Sequence, residues 1–348
     1  MTPLRLATFR VLGAAVLAGA LAAPVMAQQP AQQSTATMDA IKSRGTLSCG
    51  VNTGLAGFAQ PDSQGRWQGF DVDYCRALAV ALFNDASKVR YVPLTAQNRF
   101  TALQSGEADV MARNTTTTLS RDTSLGLDFP AINFYDGQGF MVKASLGVKS
   151  AKELDGATVC VQPGTTTEQN LTDWARANNV QFTPVIIERM EELVSAYVAG
   201  RCDAYTTDVS GLAATRSAQS QPADHVILPE VISKEPLAVG VRHGDQRWAD
   251  LVRWTHNALV SAEELGITSK NVDEALAGDN RPEAQRLLGK TGGLGQMLGV
   301  DNAWVVNVLK AVGNYGEIFE RNLTPLGIQR GPNAQWTQGG LQYSPPFR

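Results

Sequence analysis

Three short segments carry the residue types that recognition of a small polar molecule needs. Asn114 to Arg121 (NTTTTLSR) places a run of hydroxyls ahead of one guanidinium. An Arg suits a carboxylate because its planar fork donates two parallel hydrogen bonds. Gly164 to Glu168 (GTTTE) reads as a helix start, where free backbone N–H groups and the Thr166 and Thr167 hydroxyls form a seat for an anion. The third segment ends in Asp208 (DAYTTD), an acid suited to an ammonium group. Taken singly, each has an ordinary role: a surface Arg, a capping box of Thr165 with Glu168, and a helix N-cap at Asp208. Taken together they complement a zwitterion. Arg121 and the Thr166/Thr167 helix start face a carboxylate, while Asp208 and the Thr116 hydroxyl or Asn114 carbonyl face an ammonium. A ligand bridging two edges in this way gives a closed form contacts that the open form lacks, the condition for hinge closure.

Other chemistries find little support. An enzyme needs a positioned general acid or base, and only Asp208 and Glu168 are candidates, both better explained as ligand partner and cap. His225, His243 and His256 are scattered without ligand or triad spacing, so neither a metal site nor a cofactor is expected. The Gly-rich stretch from Lys290 to Gly299 reads as a linker, because Ala284 stands where a phosphate loop needs its first Gly. The 348 residues are 43% hydrophobic and 18% charged with net charge -3, a soluble globular composition without the basic excess that nucleic acid demands.

The N-terminus reads as an export signal, 1–27: Arg5 and Arg10 precede an apolar run from Val11 to Val25, and Val25-Met26-Ala27 supplies small residues for cleavage after Ala27. Residues 28–37 read as a flexible leader. In an oxidising compartment the even count of Cys49, Cys75, Cys160 and Cys202 favours two disulfides, with three pairings open.

The elements that must position these residues follow an α/β grammar. Arg44 to Asn52 reads as a buried strand, Asp71 as the N-cap of a helix with Val72, Cys75, Leu78 and Leu82 on one face, and Val89 to Pro93 as another strand. A helix ending at Gly106 and a strand at Asp109 to Met111 follow. The pattern returns about a hundred residues later: a strand at Ala157 to Gln162, a helix at Thr165 to Ala177, a strand at Phe182 to Ile187, a helix to Gly200 and a strand at Asp203 to Tyr205. Both passes contain a Gly-x-x-Asp corner, Gly106 to Asp109 and Gly200 to Asp203. Two lobes of similar topology are expected, with crossings at Gln138 to Lys143 and Pro236 to Val241. The division is 38–139 for the first lobe, 140–236 for the second, and 237–348 for the return to the first lobe plus a C-terminal helical extension. That return comprises a helix from Gln246 to Glu264 and one amphipathic helix near Ala303 to Phe319.

Together, GFDVDYCRALA (Gly69 to Ala79), ALQSGEADV (Ala102 to Val110), NTTTTLSRD (Asn114 to Asp122), GTTTE and GRCDAYTTD (Gly200 to Asp208) resemble the amino-acid-binding proteins of bacterial ABC transporters. CGVNTGLAGF (Cys49 to Phe58), GNYGEIFERN (Gly313 to Asn322) and GGLQYSPPFR (Gly339 to Arg348) narrow the resemblance to the general L-amino-acid-binding subgroup. It implies a type II periplasmic binding protein fold: two mixed-sheet α/β lobes, two crossing strands and a ligand cleft between the lobes. It also implies a non-enzymatic periplasmic receptor, monomeric, that closes on a free L-amino acid and delivers it to an inner-membrane ABC permease. The alternative is a dehydratase- or lyase-type enzyme on the same fold.

Residue by residue, the resemblance makes Arg121 the carboxylate partner, Asn114 a backbone-carbonyl contact and Thr116 a hydroxyl contact to the α-amino group. Thr166 and Thr167 become second-lobe contacts and Asp208 the acidic partner of the α-amino group. Leu55 and Ala96 stand where larger groups often sandwich the ligand, with Phe58 nearby. Asn52 stands where binders of basic amino acids commonly carry Asp. No selector for one side chain is evident, so broad specificity is expected. The two-lobe division favours pairing Cys49 with Cys75 and Cys160 with Cys202, since each bridge then lies within one lobe and leaves the hinge free.

Overall fold

The computed structural model describes residues 36–348; the export signal and residues 28–35 of the leader lie outside the described residues. Twelve strands run through the described chain: β1 (Leu47–Asn52), β2 (Gln60–Pro61), β3 (Trp67–Gln68), β4 (Val89–Leu94), β5 (Val110–Thr116), β6 (Leu127–Asp136), β7 (Gln138–Lys143), β8 (Thr158–Val161), β9 (Thr183–Ile186), β10 (Ala204–Asp208), β11 (His225–Ile227) and β12 (Glu235–Arg242). One five-stranded sheet has the order β4-β1-β5-β12-β6 and a second has the order β11-β7-β10-β8-β9. Both are mixed. In the first, β1 runs parallel to β4 and β5, while β12 is antiparallel to β5 and β6. In the second, β8 is parallel to β9 and β10, and β7 is antiparallel to β10 and β11. The chain passes from the first sheet to the second at Gly137 and returns to it at Glu235.

Inner parallel strands covered on both faces read as continuous apolar runs, and all six residues of β1 are buried. The helix Phe70–Phe83 covers this sheet with Phe70, Val72, Tyr74, Cys75 and Leu78 in the core. Its N-cap is Gly69, not Asp71 as the sequence suggested. Gly69 adopts φ 133°, and a Cβ there would lie 2.2 Å from the Phe58 carbonyl oxygen. Only glycine tolerates that approach. Asp71 moves into the first helical turn and is buried.

The helix Gln246–Glu264 brings Trp248, Leu251, Val252 and Leu259 into the same core. The helix expected near Ala303 to Phe319 is two helices, Trp304–Val312 and Tyr315–Asn322. Gly313, at φ 79°, breaks the run, and Asn314 starts the second helix through a capping box with Glu317. Both helices pack into the first-sheet core through Val305, Val308, Leu309, Ile318 and Phe319. Within the Gly-rich stretch, Leu294–Leu298 forms a short helix whose two terminal leucines lie against this core, so the stretch is packed structure and not a bare linker.

Cys49 is bonded to Cys75, joining β1 to the helix above it, and Cys160 to Cys202, joining β8 to the turn before β10. Each bridge lies within the unit built on one sheet. The second bridge closes a span of 42 residues. The paired substitution Cys160→Ser with Cys202→Ser is expected to lower the unfolding free energy by about 3–4 kcal/mol, the chain-entropy value for such a loop. Urea unfolding measures this; a loss under about 1 kcal/mol would show that the bridge adds little constraint.

Candidate functional site

The site assembles where β5, β10 and β12 end or begin, beyond the carboxyl ends of parallel strands. At the end of β5, Asn114 adopts φ 25°, an uncommon left-handed conformation for a non-glycine residue. Its N–H donates to Asp71 (3.3 Å), and its side-chain oxygen accepts from the Asn52 amide (3.1 Å). Asn52 in turn accepts the N–H of Gly54 (3.2 Å). This network fixes the turned backbone near the end of β5. Thr118 then caps the helix Leu119–Ser124 by accepting the Arg121 N–H (3.2 Å). The Arg121 guanidinium folds back, donates to the Thr116 carbonyl (2.8 Å) and lies over the Phe100 ring at 5.1 Å.

On the opposite side, Thr165 caps the helix Thr166–Asn178 and the Glu168 carboxylate accepts the Gly164 N–H (2.9 Å). Only half of the capping box read in the sequence forms: Thr165 accepts the Glu168 N–H (3.1 Å), while the Glu168 carboxylate reaches one residue further back, to Gly164 and not to the N-cap N–H. Thr167 is buried and its carbonyl accepts from the Gln138 amide (3.1 Å). The Thr166 hydroxyl donates to Glu235 (2.9 Å), so it is not free to donate to a ligand carboxylate as expected. Asp208 occupies the N-cap position of the helix Val209–Ser217, but its side chain makes no cap bond. Its buried carboxylate is thus free of the structural task that the sequence also allowed.

The two sides touch. Thr116 and Thr166 bring their hydroxyl oxygens to 3.5 Å, and Gly164 lies against Gln97. Asn52, Asn114, Thr116, Arg121, Thr166, Thr167 and Asp208 are brought together. Phe58 is not: its ring packs against Phe70 and Phe134 at centroid distances of 6.1 and 5.5 Å inside the first-sheet core. Leu55 is counted in that same core and bonds its N–H to the Ala59 carbonyl in a tight turn; Ala96 is buried. Phe58 is held inward because Gly57 and Gly69 bend the chain over the helix Phe70–Phe83, with Phe70 and Asp71 donating N–H bonds to the Gly57 and Phe58 carbonyls.

Several charged residues in the centre escaped the sequence reading. Glu235, at the start of β12, accepts the Thr116 hydroxyl (2.5 Å). Asp136 accepts the Ser210 hydroxyl and the Gly137 N–H (2.9 Å). Arg99, 3% exposed, places its guanidinium 4.7 Å from the Phe100 ring centroid and has an Nε without an acceptor among the described residues. Arg113, also buried, donates to the Leu94 carbonyl (2.9 Å). The one available signal was charge within otherwise apolar surroundings, as where Glu235 precedes PLAVGV.

The electrostatics follow from burial. The Asp208 carboxyl is pushed well above the usual range by burial and then by the charges of Asp136 and Glu235, with Arg99 and a bond from Asn114 opposing. Burial raises Asp136 to about 6 and Asp71 to about 7. Burial also lowers Arg121, against the attraction of Glu235 and Asp208. A desolvated acid favours its neutral form until an opposite charge arrives, and a desolvated guanidinium likewise gains from a negative partner.

Two α/β units meeting over buried, opposed charges form the architecture of a hinged solute receptor. The chain belongs to family 3 of the bacterial extracellular solute-binding proteins, whose profile matches residues 47–271. It is 58% identical over 318 residues to the glutamate/glutamine/aspartate/asparagine-binding protein BztA of Rhodobacter capsulatus, covering 90% of this chain and 94% of that one. It is 54% identical to the general L-amino acid-binding periplasmic protein AapJ of Rhizobium johnstonii, over 96% of this chain and 99% of the relative. Among solved structures, a periplasmic binding protein of Brucella ovis with glutathione bound superposes with a TM-score of 0.88 at 59% identity, covering 90% of this chain and 99% of that one.

Proposed function

We propose that this chain is a non-enzymatic periplasmic receptor that binds L-amino acids by closure of its two lobes and delivers them to an inner-membrane ABC permease. The observation that carries the reading is the burial of a guanidinium, Arg121, and a carboxyl, Asp208, within electrostatic reach of each other where the two sheets meet. Arg121 and the first-turn N–H groups at Thr166 and Thr167 hold the ligand carboxylate. Asp208, the Asn114 carbonyl and the Thr116 hydroxyl hold the ammonium. Asn52 supports Asn114 from behind. The lobes comprise 38–137 with 235–348, and 138–234, two residues earlier at each boundary than the division expected from sequence, since β7 enters the second sheet at Gln138 and β12 belongs to the first from Glu235. The receptor acts as a monomer after cleavage behind Ala27.

Ligand breadth follows from the same centre. Arg99 adds a second buried guanidinium with an unpartnered Nε, which favours ligands with a further acceptor, as in acidic and amide side chains. The names of the relatives support this, and so does glutathione in the Brucella ovis protein. The γ-glutamyl end of glutathione carries a free α-ammonium and α-carboxylate, so the zwitterion groups read it as an amino acid with a long side chain. A few charge-assisted bonds of about 1.5–3 kcal/mol each, with modest apolar burial, reach micromolar affinity, about -8 kcal/mol.

The test is calorimetric titration of protein freed of ligand by unfolding and refolding, using L- and D-amino acids and glutathione. Saturable binding of L-forms with the ligand recovered unchanged is expected. A change in ligand mass would instead identify an enzyme, and binding of none of these would overturn the receptor reading.

A further inference from the structure

Glu235 is 1% exposed, yet its two oxygens are satisfied by four side-chain donors from three parts of the chain. Oε2 accepts the hydroxyls of Thr116 (2.5 Å) and Thr166 (2.9 Å). Oε1 accepts the Ser233 hydroxyl (2.5 Å) and the Asn170 amide (2.8 Å). Thr116 ends a strand of the first sheet, whereas Thr166 and Asn170 stand on the helix Thr166–Asn178 that covers the second. One carboxylate therefore draws both sides of the cleft to itself.

The chemical consequence lies in the protons. A hydroxyl has one hydrogen to donate and two lone pairs with which to accept. Glu235, as a carboxylate, can only accept, so Thr116 and Thr166 must each give it their single proton. Their oxygens lie 3.5 Å apart, and each keeps lone pairs for a further donor. Two hydroxyls that were chemically ambivalent have become acceptors bonded to Glu235, whose charge reaches Asp208, a set that welcomes N–H donors and repels a carboxylate or hydroxyl oxygen.

We propose that Glu235 is a specificity-determining positioning residue: by taking the hydroxyl protons of Thr116 and Thr166 it makes both oxygens obligate acceptors and so builds the part of the cleft that selects a ligand's ammonium. The inference rests on the reading of the site as an amino-acid receptor. It assigns to the first residue of β12, where the chain re-enters the first sheet, a choice between ligands with and without an α-ammonium.

Two conservative variants separate positioning from charge. In Glu235→Gln the amide oxygen still reaches Thr116 and Thr166, while Nε2 turns to Ser233 and Asn170, both of which can rotate to accept. In Glu235→Asp the charge is kept but the carboxylate withdraws by one methylene from the hydroxyls. The readout is the ratio of dissociation constants for glutaramic acid and L-glutamine, which differ only by the α-ammonium, with circular dichroism as a check on folding. The wild type is expected to prefer L-glutamine by a hundredfold or more. Glu235→Asp should lower that ratio at least tenfold, and Glu235→Gln should hold it within about threefold. The reverse order would assign the effect to charge alone and overturn the proposal. An unchanged ratio in both variants, or equal losses in both, would overturn it as well. Failure of the wild type to bind L-glutamine or to prefer it would instead overturn the underlying receptor reading.

Discussion

Arg121→Ala is expected to weaken binding of an L-amino acid by a hundredfold or more, measured by calorimetry on ligand-free protein. Arg121 is 7% exposed and held by two independent restraints, the Thr116 carbonyl and the Phe100 ring. Its guanidinium is therefore placed before the ligand arrives, and little side-chain entropy is lost on binding. Two charge-assisted hydrogen bonds of about 1.5–3 kcal/mol each are removed, and each 1.4 kcal/mol is about tenfold. Arg121→Lys keeps the charge without the fork and should recover only part of the loss. Circular dichroism should remain that of the wild type, because the helix Leu119–Ser124 is capped by the Thr118 hydroxyl and an Arg121 backbone group that alanine also has. An affinity within threefold of wild type would show that the carboxylate is held elsewhere.

Asp208→Asn is expected to act in opposite directions on binding and on stability. Affinity should fall by a hundredfold or more, since breaking a buried pair by removing one partner costs about 3–5 kcal/mol. Stability of the ligand-free protein should rise, because the substitution removes an acid buried near Asp136 and Glu235. The sign follows from linkage. A carboxyl whose folded-state value is raised holds a proton that the unfolded chain has already released, so folding stability is greatest at low pH within the window and falls as pH rises. That window opens near the ordinary Asp value of 3.8 and extends to about 6 for Asp136 and about 7 for Asp71, with Asp208 also raised. The melting temperature of wild-type protein without ligand should accordingly drop between pH 5 and 7.5, by about a few degrees, and Asp208→Asn should flatten the slope.

Ligand reverses that dependence. An ammonium placed beside Asp208 favours the ionised carboxylate, so binding releases protons and affinity rises with pH through the same window. Titrations in buffers of different ionisation enthalpy detect the release directly. Equal apparent enthalpies across buffers at pH 6, or an Asp208→Asn protein less stable than wild type, would contradict the electrostatic account.

The residues of the site differed in how legible they were. Asn114, Thr116 and Arg121 lie on one continuous stretch, and the Thr165 cap with Glu168 and the acid that ends β10 are each local patterns of type and spacing. Local patterns survive folding because capping and strand termination depend on neighbours a few residues away. Glu235 carries no such pattern. Its partners are 119, 69 and 65 residues distant in sequence, apart from Ser233, and only the meeting of the two sheets joins them. Arg99 is likewise one arginine among many until burial strips it of solvent. Phe58 shows the opposite limit. Its neighbourhood suggested a ligand wall, but a bend at Gly69 tight enough to exclude a Cβ directs the ring inward.

Composition, the alternation of strand and helix, and the order of a few hydroxyl, guanidinium and carboxylate residues were enough to specify an α/β receptor of two similar halves for a zwitterion. Those properties are encoded in types and short spacings, which the chain carries whether or not it is folded. Which carboxylates share the centre, which threonine protons are already committed, and how far each acid is displaced from its ordinary behaviour were decided by tertiary structure alone. Desolvation and long-range hydrogen bonds arise only when two distant sheets close over the same few ångströms of space.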